Sequence, residues 1–150
     1  MNDQLGDRCR ENGVATAAPH LAGVDAALAT GDVPGALRAW HEAYGAMMGS
    51  PRWEGFADAG DAFLRIARAS GSPARGISRA RDLYLSALFR ASGSGSLDGV
   101  LRLASAFAEL GDDEVVTYCL RIARRLAAAN RRPELQERLD TLQTGAVITR

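Results

Sequence analysis

Along this chain apolar residues recur at steps of three and four between breakers of glycine, serine and proline. Residues three and four apart share one face of an α-helix, whereas a half-buried strand requires alternation at every second position. Val33, Leu37, Trp40, Tyr44 and Met47 form such a stripe, which ends at Gly49-Ser50-Pro51. Ahead of it, Leu21, Val24 and Leu28 mark a short helix that stops at Gly31. A third helix runs from about Trp53 to Ala69 with Phe56, Gly60, Phe63 and Ala67 on one face, and Ser70-Gly71-Ser72-Pro73 breaks it. Pro73 suits the first turn of the following helix, which carries Ile77, Ala80, Tyr84, Ala87 and Leu88.

The low-complexity run Ser92-Gly93-Ser94-Gly95-Ser96 reads as the next turn, with Ser96 as N-cap. Leu97, Val100, Ala104 and Phe107 face one way on a fifth helix closed by Gly111. Val115 or Val116, Cys119, Leu120, Ala123 and Leu126 do so on a sixth. Pro133 opens a last helix with Leu135, Leu139 and Leu142, and Thr144-Gly145 releases a short tail over 145–150. Residues 1–18 carry no apolar period and read as a disordered arm. The expectation is an all-α domain over residues 19–144 with about seven helices. Connections of a few residues force consecutive helices antiparallel. The hydrophobic fraction of 47% is carried mostly by Ala and Leu, which fits helix better than sheet.

Two segments share more than a period. After Gly31-Asp32 come Ala36, Trp40 and Ala43, and after Gly111-Asp112 come Val116, Leu120 and Ala123, in the same register. The glycine supplies the positive φ that stops one helix, the aspartate caps the next, and small residues alternating with large ones let two helices interdigitate. This resembles the tetratricopeptide repeat, a helix–turn–helix unit of about 34 residues that stacks into a solenoid. The middle segment matches in its halves, with Phe56, Gly60 and Phe63 and then Ala80, Tyr84, Ala87 and Leu88, but reads as having a longer turn without Gly-Asp. A non-repetitive helical bundle is the other fold that helical periodicity permits.

Little in the sequence points to catalysis. His20 and His41 lie at no ligand spacing from each other or from a cysteine, and no nucleophile elbow, phosphate loop or HExxH motif occurs. No cofactor or metal is expected. His41 beside the Trp40 stripe reads as a satisfied, partly buried imidazole, and Asp58 and Asp61 as solvated charges on an outward helix face. Trp40, Trp53, Tyr84 and Phe107 fall in apolar stripes and read as core. Cys9 and Cys119 are too few for a disulfide framework, so a reduced, cytoplasmic protein is the expectation, with Cys119 a buried, slow thiol and Cys9 a fast one. No run of eighteen apolar residues occurs, so no membrane span is expected.

Net charge is zero but unevenly placed: residues 1–62 hold nine carboxylates against four arginines, and residues 63–150 hold nine against fourteen. Such a dipolar chain has the means to steer a partner or to pair head to tail with itself. Arg121, Arg124, Arg125, Arg131 and Arg132 form the one basic cluster, without interleaved exposed aromatics to support nucleic-acid binding.

The resemblance implies a non-catalytic module that binds another protein or a peptide. In the family, the first helix of each pair lines the concave surface. Stepping 100° per residue from Phe56, the face turned away from packing carries Glu54, Asp58, Asp61 and Arg65. On the fifth helix it carries Asp98, Arg102, Ser105 and Glu109. Such a groove is acidic with arginine interruptions, suited to a basic or mixed-charge peptide. Every basic residue is Arg and none is Lys, which argues against the acidic C-terminal tails that some family members clamp. The rival reading is an accessory subunit touching nucleic acid through its C-terminal arginines, and a stand-alone enzyme ranks last.

Overall fold

The structure is a computed structural model that describes residues 20–130, 137–142 and 144. Among these residues it is all-helical with no strand. The helices are α1 (residues 20–29), α2 (Val33–Met47), α3 (Glu54–Ala69), α4 (Pro73–Gly93), α5 (Leu97–Glu109), α6 (Asp113–Ala129) and α7 (residues 137–142). The expected arm over 1–18, the start at Pro133, Leu135 and the tail over 145–150 lie outside the described residues. No helix among the described residues is long and apolar enough to cross a membrane.

One turn closes four of these helices. Gly31, Gly71, Gly95 and Gly111 have φ of 74°, 72°, 69° and 74°, the left-handed region where a side chain is strained. In each case the N–H of the next residue reaches the carbonyl five residues back: Asp32 to Ala27 and Ser72 to Ala67 at 2.9 Å, Ser96 to Ala91 at 2.8 Å, Asp112 to Phe107 at 3.0 Å. This is the Schellman closure, which satisfies carbonyls that the helix end leaves open. Ser70-Gly71-Ser72 is therefore the same turn as at Gly31 and Gly111, not a longer one, with serine in the place of aspartate. The turns within α1–α2, α3–α4 and α5–α6 fall at glycines 40 residues apart. That interval is longer than the ~34 residues of the tetratricopeptide pattern.

Side chains cap α2 and α5, whereas Trp53 at the N-cap of α3 makes no side-chain cap hydrogen bond. The Asp32 side chain accepts from the Gly35 N–H at 2.8 Å, and Ser96 Oγ accepts from the Gly99 N–H at 3.1 Å. Pro73 opens α4, and α4 runs through Ser92 and Gly93, so the serine–glycine turn shortens to Ser94-Gly95-Ser96. Asp112 stands at the N-cap of α6, but its side chain accepts no hydrogen bond from the first turn.

The chain forms two compact units, the first ending at Ala87 and the second beginning at Leu88, with the division inside α4. In the first unit α2 packs on α3. Helix α3 is apolar beyond a single face: Phe56, Ala57, Ala59, Gly60, Ala62, Leu64, Ile66 and Ala67 are all buried. Its small residues allow close approach. A methyl group at Gly60 would overlap the Tyr84 ring, and one at Gly76 of α4 would overlap the Ala67 methyl. The Trp40 indole N–H donates to the Ala59 carbonyl at 2.8 Å, which satisfies the one polar atom of a side chain otherwise buried for its apolar area.

On α2 the buried positions are Ala36, Trp40, Ala43 and Met47. Leu37, expected in the stripe, is 36% exposed, and Ile77, expected on the inner face of α4, is 43% exposed. The α4 core of this unit is Ala80, Leu83, Tyr84 and Ala87.

In the second unit α5 packs on α6. Leu97, Val100, Ala104 and Phe107 are buried as expected, with Leu103 beside them. They meet Cys119, Ile122, Ala123 and Ala127 of α6 and Leu139 of α7 in the core of this unit. Full burial of Leu103 and Phe107 contributes about 2 kcal/mol each. Leu142 of α7, read as core from its spacing, is 60% exposed. Arg124 of α6 pairs with Asp140 of α7 at 3.1 Å.

Candidate functional site

The polar face of α3 is where side chains of one kind converge. Asp58, Asp61 and Arg65 lie at helical steps of three and four, and with Leu21, Ala22 and Asp25 of α1 they line a cleft of about 340 Å³. Asp58 and Asp61 are half-buried there rather than solvated on an outward face. Arg65 donates through Nη2 and Nε to Asp25 Oδ1 at 3.0 and 3.1 Å, and this pair bridges α3 and α1. The hydroxyl of Tyr84, a side chain only 2% exposed, donates to Asp61 Oδ1. Asp61 thus serves the core and the cleft together. Among the described residues that line it, three carboxylates stand against one guanidinium, a negative formal balance. Glu54 does not join them: it pairs with Arg52 at 3.2 Å.

In the second unit Asp98, Arg102, Ser105 and Glu109 are exposed along α5. Ser105 lines a cavity, about 360 Å³ and mostly apolar, with Leu101, Ala104, Val116, Leu120 and Leu139 among its walls. Its hydroxyl donates to the Leu101 carbonyl at 3.3 Å. The basic cluster divides: Arg121 and Arg125 are exposed on α6, whereas Arg124 is half-buried and paired with Asp140. Among the described residues the buried Arg124 Nε meets no hydrogen-bond partner. Arg131 and Arg132 lie outside the described residues.

Among the described residues no group of three His, Cys, Asp or Glu side chains is placed to hold a metal ion. His20 pairs with Glu42 at 3.0 Å. His41 is exposed rather than partly buried, and its Nδ1 lies 2.8 Å from the Leu37 carbonyl, to which it donates. Trp40, Tyr84 and Phe107 are core as expected, while Trp53 is half-buried. Desolvation by burial pushes the Cys119 thiol up to about 11, with a smaller contribution from the charge of Asp112.

A second cleft in the first unit was not legible in the sequence. It measures about 510 Å³ and lies among α2, α3 and α4, with Leu37, Trp40, His41, Phe63, Arg75 and Arg79 in its lining. The signal that points to it is Arg75 and Arg79, one turn apart on α4. Arginines at that spacing read as a solvated face until the aromatic residues of α2 are placed beneath them. Compared with family models, with characterised proteins and with solved structures, this chain matches none.

Proposed function

We propose that this protein is a non-catalytic interaction module, a short tetratricopeptide-like solenoid of paired helices, that binds a basic or mixed-charge peptide or helix on the acidic face of α3. The observation that carries this reading is the cleft in which Asp25, Asp58 and Asp61 surround a single arginine, Arg65, already matched to Asp25. A guanidinium or ammonium group from a partner gains charge-assisted hydrogen bonds there, while an acidic segment meets repulsion. Recurrence of one turn at Gly31, Gly71 and Gly111 supports kinship with stacked helix–turn–helix repeats. The buried free thiol of Cys119 fits a reducing, cytoplasmic setting.

The test uses two fluorescent helical peptides with the same Leu and Ala pattern, one carrying arginines and the other glutamates. By anisotropy the arginine peptide binds, more weakly as salt rises, and the glutamate peptide does not. Asp25→Asn and Asp58→Asn each weaken binding by about fivefold, the loss of one partly exposed charge contact. Equal binding of both peptides, or no response to either substitution, overturns the reading.

A further inference from the structure

We infer that the cleft among α2, α3 and α4 of the first unit binds a small organic anion with an apolar body about the size of one or two rings. Its volume of about 510 Å³ falls within the range of small-molecule pockets. The floor is apolar: half-buried Phe63 and Leu37, 36% exposed, leave open surface there, and the buried Trp40 ring backs Phe63 edge to face with centroids 4.8 Å apart. An apolar body laid on that floor removes this surface from water.

The charge of the lining decides the sign of the ligand. Among the described residues Arg75 and Arg79 line the cleft and no carboxylate does. Elsewhere in the same unit Arg52 and Arg65 are each matched to an acid, Glu54 and Asp25. Among the described residues, Arg75 and Arg79 have no such match. The Arg79 guanidinium instead lies over the rings of Trp40 and Tyr44, 5.5 and 5.1 Å from their centroids. Those two rings are stacked at 5.2 Å and 13°. A guanidinium held by its face keeps its N–H edge for a carboxylate, sulfonate or phosphate oxygen, and Arg75 one turn away supplies a second donor. Positive charge without a counter-charge, above an apolar floor, selects an anion attached to an apolar ring system. This site is separate from the acidic cleft of Asp25 and Asp58 and opposite to it in sign.

The probe is anilinonaphthalene sulfonate, with neutral N-phenylnaphthylamine as its uncharged counterpart. The chain has two tryptophans, so the full-length Trp53→Phe variant leaves Trp40 as the donor for energy transfer to the dye. The sulfonate binds saturably and quenches Trp40, and the neutral dye binds about tenfold more weakly, the scale of one lost charge-assisted hydrogen bond. Arg79→Met, which keeps the stem over the rings, and Arg75→Glu, at an exposed position that the fold does not need, each weaken the sulfonate by a similar factor. Thermal melting of Arg75→Glu is unchanged, so its effect is not one of folding. The inference is overturned if the neutral dye binds as tightly as the sulfonate, or if Arg75→Glu leaves sulfonate binding intact in a folded protein.

Discussion

Cys119 shows how one buried atom ties packing to pH. Its side chain is fully buried, and desolvation lifts its pKa from an ordinary 9.0 to about 11. The folded value lies above the unfolded one, so the contribution to stability is complete below pH 9 and is lost as the pH rises toward 11. At ~1.4 kcal/mol per unit the loss reaches at most about 2–3 kcal/mol. Urea unfolding at pH 8 and pH 10.5 should therefore show a larger loss in the native protein than in Cys119→Ala, and thiol labelling at neutral pH should be slow. Parallel losses in the two proteins would contradict the burial. Spacing alone placed Cys119 inside, because it shares a helical face with Ala123. The same spacing places Leu37 inside, yet it is 36% exposed. Close helix packing favours small side chains, so Ala36 and Ala43 are fully buried while the bulkier Leu37 is left at the rim of a cleft.

At the scale of elements, the turn is the most legible feature of the chain. Glycine followed by a capping residue announces it at Gly31 and Gly111, and the structure adds Gly71 and Gly95 with the same backbone geometry. Gly71 escaped assignment to the pattern because serine replaces aspartate after it, although both residue types favour a helix N-terminus. The left-handed backbone makes an asymmetric prediction. Gly71→Ala, at φ 72°, destabilises by about 1–2 kcal/mol even though nothing crowds its side-chain position. Gly45→Ala, in an exposed helical position of α2 with equally open space, stabilises by about 0.5–1 kcal/mol. Chemical denaturation of the two variants checks the opposite signs, and a shared sign would show that the Gly71 turn is not closed as described. The many-sided burial of α3 was not legible, because Ala57, Ala59 and Ala62 add no bulky residue to the hydrophobic period.

For the whole molecule, the decisive step is the meeting of residues far apart in the chain. Stepping around α3 names Asp58, Asp61 and Arg65 as one face, and the structure brings them into one cleft. Asp25 could not be named that way, since it belongs to α1 and reaches Arg65 only through the fold. Glu54 shares the face but is drawn to Arg52, and Arg124 leaves its neighbours for Asp140. Charge patterns show which side chains are available; ion pairs across helices decide which of them a partner meets. Mapping amide shifts in a nitrogen-labelled sample titrated with the arginine peptide shows where the proposed basic segment sits on the acidic face of α3. The predicted result is a set of shifts confined to Leu21, Ala22, Asp25, Asp58, Asp61 and Arg65 and their immediate neighbours. Shifts centred instead on Arg121 and Arg125 of α6, or none at saturating peptide, would contradict it.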